Sequence, residues 1–535
     1  MSAFRTLPPL LSRRRALARL SRLSAGLALG SLFAPPAGSS RSERLSEWPG
    51  AFGDPFTLGV ASGQPRPDSV VLWTRLAPQP LLPLGGLPPV AVAVRWQLAL
   101  DEQFGQVVQE GEHEAVPEHA FSVHVQVGGL PPAQRYFYRF IVGDAVSCTG
   151  RTRTAPAADA PVDRLRLALA SCQHYEHGRF AAHREIAARD LDLVLFVGDY
   201  IYETHSTSVQ VRLHEAPPPV DLDGYRARHA TYKLDADLQA AHAAHPWLLV
   251  WDDHEVRNDY AGDQSTGDFA PGEFLRLRTA AYKAYFEHMP VAPDQRPVDG
   301  TMRMHDRFAW GQLAQLWTLD GRQYRSAQAC GAPGEAHGRL LWHCDELADP
   351  RRSLLGAAQE QWLSQGLVDS THTWKLLAQG TQMSAWGLSL PFMRGVYSDG
   401  WDGYPSARTR LLQHVRDARI ANVVSLGGDV HRHVAAALRL APNDPDSPVL
   451  VSEFVTSSIS TRGLPESVMQ AVRRSNPDLL HARSDERGYA LIEATPGLMQ
   501  CEFRATAFPV AEQAHLHTQA RFAVEAGQPG PQRTG

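Results

Sequence analysis

Lysine is nearly missing from this chain. Among 535 residues it occurs only at 233, 283 and 375, and almost all positive charge is arginine. That skew reads as coding bias rather than function. Net positive charge is missing too: the formal charge is −5. Nucleic-acid binding by phosphate neutralisation needs clustered Lys and Arg, so no nucleic-acid-binding module is expected. Long apolar runs are absent as well, and a bilayer span needs about 20 such residues. There is no internal repeat and no low-complexity tract. With 43% apolar and 20% charged residues, the composition is that of a globular protein. At roughly 150 residues per domain, the length suggests two to four units.

Residues 1–40 read as a targeting segment. "SRRRALARLSRLSAGLALGSLFAPPAG" has Arg13, Arg14 and Arg15 ahead of a modest apolar stretch from Leu23 to Phe33, then small residues and prolines. Paired arginines before a weak apolar region resemble a twin-arginine export signal. An ordinary secretory signal or a basic arm is the plainer reading. Residues 1–37 carry six arginines and no acid, so without them the formal charge of −5 becomes −11.

Cysteine is scarce: Cys148, Cys172, Cys330, Cys344 and Cys501. Cys330 and Cys344 bracket "CGAPGEAHGRLLWHC", and a bridge there would contribute about 3 kcal/mol in the chain-entropy model. One cysteine of five must stay free, ligate something or pair between chains. Cys172 is the candidate.

From about 45 to 155 the chain reads as all-β. "DSVVLWTRL" and "VAVAVRWQLAL" are β-rich, and "FSVHVQVGGL" alternates at period two. A small sandwich is expected, ending at the Pro/Ala linker of 154–163. From 160 to 525 strands alternate with helical patterns, which argues for a layered α/β domain. The Gly/Pro-rich tail, 527–535, is expected to be disordered.

Four apolar strands in that region end in polar clusters. "DRLRLALASC" ends at Cys172. "DLVLFVGDYIYE" runs from Val194 to Val197, stops at Gly198, and delivers Asp199 and Tyr202. "HPWLLVWDDHE" ends in Asp252, Asp253 and His254. "ANVVSLGGDVHRH" ends in Asp429 and His431. Each has a plain alternative: a Gly-Asp turn, acids at a helix N-terminus, a polar turn, or a small buried thiol. Together they are hard to explain so. Open α/β sheets gather ligands outside the carboxyl ends of their strands.

The order of these clusters resembles that of the calcineurin-like metallophosphoesterases, which carry Asp-x-His, Gly-Asp-x-x-Asp, Gly-Asn-His-Asp/Glu and Gly-His-x-His, each after a strand. Here "SCQH" has Cys172 for the first aspartate. "GDYIY" keeps Asp199 and has Tyr202 at its last place. "DDHE" has Asp253 for asparagine and keeps His254 and Glu255. "GDVH" has Asp429 for the first histidine and keeps His431. That altered set resembles the PhoD-type alkaline phosphatases and phosphodiesterases, as do "FTLGVASGQPRPDSVVLWTRL", "WDDHEVRNDYAGD" and "LDGRQYRS". The resemblance covers about 56–505. Arg257-Asn258-Asp259 departs from the polar residues that relatives often carry.

The resemblance implies a four-layer α/β sandwich, sheets flanked by helices, behind a small immunoglobulin-like β domain. It implies a secreted phosphoesterase acting on diesters and monoesters, holding Fe³⁺ and Ca²⁺. Carried over residue by residue, Cys172, Asp199, Tyr202 and His431 would hold iron. Asp199, Asn258 and Asp429 would hold calcium, with Asp253 beside them. The donor types agree: phenolate and thiolate suit a ferric ion, and carboxylate and amide oxygens suit Ca²⁺. Two cations would clamp the phosphoryl oxygens and activate water, and His254 would bind phosphate or protonate the leaving oxygen. The expected partners are a phosphoester substrate and the twin-arginine export machinery, with a periplasmic or extracellular monomer and no membrane span. The alternatives are a zinc-type metallophosphatase and a non-catalytic calcium-binding adhesion protein.

Overall fold

Strands buried on both faces read as unbroken apolar runs rather than as alternating ones, and "LVLFV" is such a run. In the computed structural model, which describes residues 44–535 apart from 46, 47, 49–51, 267, 268 and 271, it forms the fully buried strand Leu193–Val197. Leu165–Ala170 and Pro246–Val250 flank it in parallel, with Leu167 opposite Leu193 and Val194 opposite Trp247. Parallel neighbours end at one edge. Cys172, Asp199 and Asp253 therefore leave the sheet side by side. The arginine-rich segment over 1–40 lies outside the described residues.

A second sheet supplies the other cluster. It runs in the order Asp306–Trp310, Ala314–Thr318, Trp374–Ala378, Val423–Gly427, Val449–Val455, His433–Arg439 and Leu479–Arg483. The pairings from Ala314–Thr318 through Val449–Val455 are parallel, and Val423–Gly427 points Asp429 and His431 outward at its end.

The two sheets share one core. Leu165, Leu167, Leu195 and Leu248 of the first meet Leu316, Trp374, Leu376, Val424 and Phe454 of the second. The alternate residues of the first sheet, Ala168, Val194, Phe196 and Trp247, pack under helices through Ile186, Tyr225, Leu238 and Tyr282. The outer face of the second, with Trp317, Leu377, Val423 and Val451, packs under Leu363, Leu367, Leu411 and Leu412. The period-two alternation of each strand thus serves two cores at once.

Two findings differ from the sequence pattern. First, the Pro/Ala linker of 154–163 does not separate the N-terminal strands from the catalytic sheet. Val60–Gly63 pairs in parallel with Pro246–Val250, Ser62 opposite Pro246. Val70–Arg75 and Ser122–Val127 follow it, so they extend the ten-stranded sheet. The remaining N-terminal strands form a six-stranded sheet, and Val94, Leu98, Tyr138 and Phe140 pack there against Val60, Val70, Leu72 and Val123. Second, the expected disorder of 527–535 is overturned. Gln532–Arg533 adds an edge strand to His517–Glu525, and the Gly530 N–H donates to Ser452 Oγ at 2.9 Å. The glycines and prolines of the tail make its turns. The stretch 204–246 holds two helices, Leu222–Lys233 and Ala236–Ala244, capped by Asp221 and Asp235.

Cys330 and Cys344 are bridged, and Cys148, Cys172 and Cys501 are free. Among the described residues, no helix is long and apolar enough to cross a membrane.

Candidate metal centre

The strand ends bend sharply where the ligand-type residues stand. Cys172, Asp199, Asp259, Asp429 and His431 all have left-handed backbones, with φ of 59°, 58°, 57°, 62° and 52°. Non-glycine residues rarely sit there, and such strain clusters at functional sites. Two glycines let the ends converge. A Cβ on Gly198 would lie 2.5 Å from the Asp252 Cβ, and one on Gly428 would lie 2.7 Å from the Ser171 Oγ.

The result is one polar site built from both sheets. Ligand atoms of Cys172, Asp199 and His431 lie within 4.8 Å of one another, as do those of Asp199, Asp253 and His254. The Tyr202 hydroxyl donates to Asp199 Oδ2 at 2.7 Å and lies 3.1 Å from His431 Nε2. Asp429 is fixed by Thr381, whose hydroxyl donates to Oδ2 at 2.8 Å. Asp199 therefore belongs to both groups, as a bridging carboxylate must. Cys172, Asp199, Tyr202 and Asp253 are buried; His254, Asp429 and His431 are half-buried and face the opening.

Asn258 is not brought into this group. It is exposed, and its backbone N–H donates to Glu203 Oε1 at 2.9 Å. The neighbouring Asp259 turns inward instead. Its N–H donates to Asp253 Oδ2 at 2.6 Å, and its carboxylate joins Asp253 and Asp399 in a third cluster. The left-handed turn at Asp259 decides which of two adjacent polar side chains faces the site.

The electrostatics call for cations. Burial pushes the Asp199 and Asp429 carboxyls well above the usual range, and neighbouring aspartates push further. Burial likewise raises Asp252 to about 6, Glu255 to about 7 and Asp259 to about 7. Asp199 Oδ1 is buried without a hydrogen-bond partner, and Asp253 Oδ1 has only a 3.5 Å ion pair with Arg322. Buried carboxylate oxygens are normally paired or coordinate metals. The Cys172 thiol and Tyr202 phenol are both raised by burial, so within the chain alone they stay protonated; a metal would deprotonate them. A donor set of thiol, phenol, imidazole and unpaired carboxylates fits metal ions.

The chain supplies part of the positive charge. Arg322 is buried with its Nε 2.5 Å from Asp252 Oδ1 and its Nη2 2.9 Å from Asp399 Oδ2 and 3.5 Å from Asp253 Oδ1. Arg325 meets Asp399 at 3.2 Å. Both come from "LDGRQYRS", whose signature was visible but whose role was not. Asp399, inside an aromatic loop, gave no signal. His254 sends Nδ1 to Glu203 Oε2 at 2.7 Å. Burial works against its charged form, but Glu203, Asp253 and Asp199 outweigh it and raise the ring well above its ordinary value. Burial holds His431 at about 3, neutral and ready to ligate. Glu255 braces the cluster, accepting from Tyr200 N at 2.6 Å and Asp252 N at 2.9 Å.

The site opens into a cavity of about 480 Å³. Asp429 and His431 line it together with the exposed Arg462, and Trp386, Leu388, Leu464, Val468 and Val472 form an apolar wall.

Comparisons with known proteins give the chain its family. The model of the PhoD-like phosphatase family matches residues 167–503, and that of its N-terminal domain matches 44–156. Alkaline phosphatase D of Bacillus subtilis (strain 168) is 40% identical over 514 residues, covering 95% of this chain and 86% of that protein. A solved structure described as "Structure of PhoD" superposes with a TM-score of 0.85 at 40% identity, covering 90% of this chain and 92% of the other. With the family model spanning more than half its length, the chain belongs to the PhoD-like phosphatase family.

Proposed function

We propose that this protein is a metal-dependent phosphoesterase that hydrolyses phosphodiesters and phosphomonoesters. The observation that carries this reading is the buried Asp199 Oδ1, which has no hydrogen-bond partner and lies beside Cys172, Tyr202, Asp253 and His431. Cys172, Asp199, Tyr202 and His431 are assigned to Fe³⁺. Asp199, Asp253 and Asp429 are assigned to Ca²⁺, with Asp259 in the place expected of Asn258. The domain reading is a four-layer catalytic sandwich behind a smaller β unit. From "SRRRALARL", export follows the twin-arginine route to the periplasm or beyond.

When bound, the cations supply Lewis-acid polarisation of the phosphoryl group and acidify water. The chain does the rest by positioning and charge. The strained strand ends hold the ligands without further rearrangement. His254, kept protonated by Glu203, donates a proton to the leaving oxygen. Arg462, exposed at the cavity mouth, attracts the anionic ester. The apolar wall receives the alcohol part of the substrate and excludes water from it. The test is Asp199→Ala, assayed on an aryl phosphodiester alongside far-UV circular dichroism. A folded protein without turnover supports the reading; a folded protein with full turnover overturns it.

A further inference from the structure

Outside the centre described above, one other cluster brings metal-ligand side chains together among the described residues. Glu176 lies in the turn Tyr175–His177, and His205 and His214 follow Tyr202 on the next strand-end loop. The Glu176 and His214 side chains are fully buried, and that of His205 is 38% exposed. His205 Nδ1 is 2.9 Å from Glu176 Oε1, and His214 Nδ1 is 3.1 Å from the same oxygen. Donor atoms of all three lie within 4.8 Å of one another.

A hydrogen-bonded loop anchor explains part of this. Glu176 accepts from the backbone N–H groups of Ser206 and His214, which ties down the loop. It leaves His214 Nδ1 unexplained. That atom is buried and makes no hydrogen bond, despite its 3.1 Å approach to the carboxylate. The pair touches without the alignment of a donor and an acceptor. In the metal-free chain Tyr232, which already accepts from Tyr175 N and Tyr202 N, gives its hydroxyl proton to His214 Nε2 and leaves the proton of the ring on Nδ1; a cation bound there would displace that proton. Ligand atoms each about 2.0–2.2 Å from a tetrahedral zinc-class ion lie roughly 3.3–3.6 Å apart, so the 2.9 and 3.1 Å contacts found here would open by a few tenths of an ångström on binding.

The surroundings suit a metal. The backbone donors fix the carboxylate, and the Tyr232 hydroxyl sits 3.3 Å from His214 Nε2. The exposed side of His205 leaves room for water in a fourth position. Two imidazoles and one carboxylate favour divalent first-row ions over calcium or magnesium, which prefer all-oxygen sites.

We propose that Glu176, His205 and His214 form an accessory site for a zinc-class divalent ion, separate from the centre at Cys172 and Asp199. The ion pins the 203–215 segment, which carries the backbone just beyond Tyr202. The His174 ring lies between the two sites, 4.6 Å from the Tyr202 ring and 5.8 Å from that of His214.

The test uses the full-length purified protein and Zn²⁺ alone as probe. Zinc is added, excess is removed by gel filtration, and retained zinc is located by anomalous scattering at its absorption edge. One retained zinc between Glu176, His205 and His214 is expected. Cys172→Ser should keep it, because the accessory site uses no thiolate. His205→Ala, at a partly exposed position, should fold and weaken retention by roughly 10-fold or more. His214→Gln serves as the second ligand variant should His205→Ala misfold. No zinc at this place, or equal retention there in folded ligand variants, overturns the proposal. Iron and phosphoesterase activity in His205→Ala are read separately, so a failure here is distinct from a failure of the phosphoesterase reading.

Discussion

Arg322→Met offers a direct probe of how the site is held together. Arg322 is fully buried and faces three carboxylates, with Asp252 at 2.5 Å, Asp399 at 2.9 Å and Asp253 at 3.5 Å. Methionine nearly fills the space but supplies no charge. Removing one partner of a buried ion pair typically destabilises by about 3–5 kcal/mol, because the other charge is stranded. Here Arg325 still contacts Asp399 at 3.2 Å, which favours the lower end, about 3 kcal/mol. Domains of 150–250 residues lose roughly 2–4 °C of Tm per kcal/mol, so a drop of about 6–12 °C is expected in differential scanning calorimetry. Arg322→Lys should fall between, since an ammonium keeps the charge but not the fork. The loss should shrink as pH falls toward 4, where Asp252, raised to about 6, is protonated in both proteins. A Tm within 1–2 °C of the wild type at neutral pH, in calcium or in chelator, would refute the argument.

Further outcomes follow from the same geometry. After metal removal, the stability that Asp259 contributes, read as wild type minus Asp259→Asn, should fall as pH rises from about 4 to 7. Asp259 has a raised folded value of about 7, so at this site the native state binds more protons than the unfolded state across that window. Urea titrations of both proteins at pH 4.5, 6 and 7.5 check this, and a flat or rising difference contradicts it. Tyr202→Phe should stay folded and lose more than about 100-fold in turnover; its Tm and diester kinetics test both halves. Gly198→Ala should cost about 1–3 kcal/mol, since its φ is +92° and the new Cβ would lie 2.5 Å from the Asp252 Cβ; chemical denaturation reads it. Leu464→Asp, on the apolar wall and 39% exposed, should raise KM for an aryl diester by roughly 10-fold and leave a small alkyl monoester unchanged.

The strand-end residues were legible because their cause is local. An apolar run stopped by glycine and followed by an acid is written in consecutive letters at 194–199 and again at 423–429. Parallel pairing then gathers the ends within each sheet, and the packing of the two sheets on one core brings Asp429 and His431 to Cys172, Asp199, Tyr202, Asp253 and His254. What stayed hidden depends on distant pairing or on one torsion angle. Val60–Gly63 joins the catalytic sheet through Ser62 and Pro246, and nothing local marks a strand for a partner so far away. Asn258 and Asp259 are neighbours of similar polarity, and the left-handed φ of Asp259 selects between them. Arg322 stood in a visible motif, yet its three acidic partners come from two loops. The tail's glycines and prolines read as disorder because turns and disorder share a composition; the pairing with His517–Glu525 distinguishes them.

Iron held by Cys172, Asp199, Tyr202 and His431 next to calcium is the assignment on which the chemistry turns. It is tested most directly by measuring bound elements and the visible spectrum of the protein purified without added metal, as wild type and as Tyr202→Phe. The expected result is near-stoichiometric iron with calcium and a charge-transfer band that Tyr202→Phe shifts or removes. Zinc alone in a colourless protein, or iron whose band is the same in Tyr202→Phe, would contradict it.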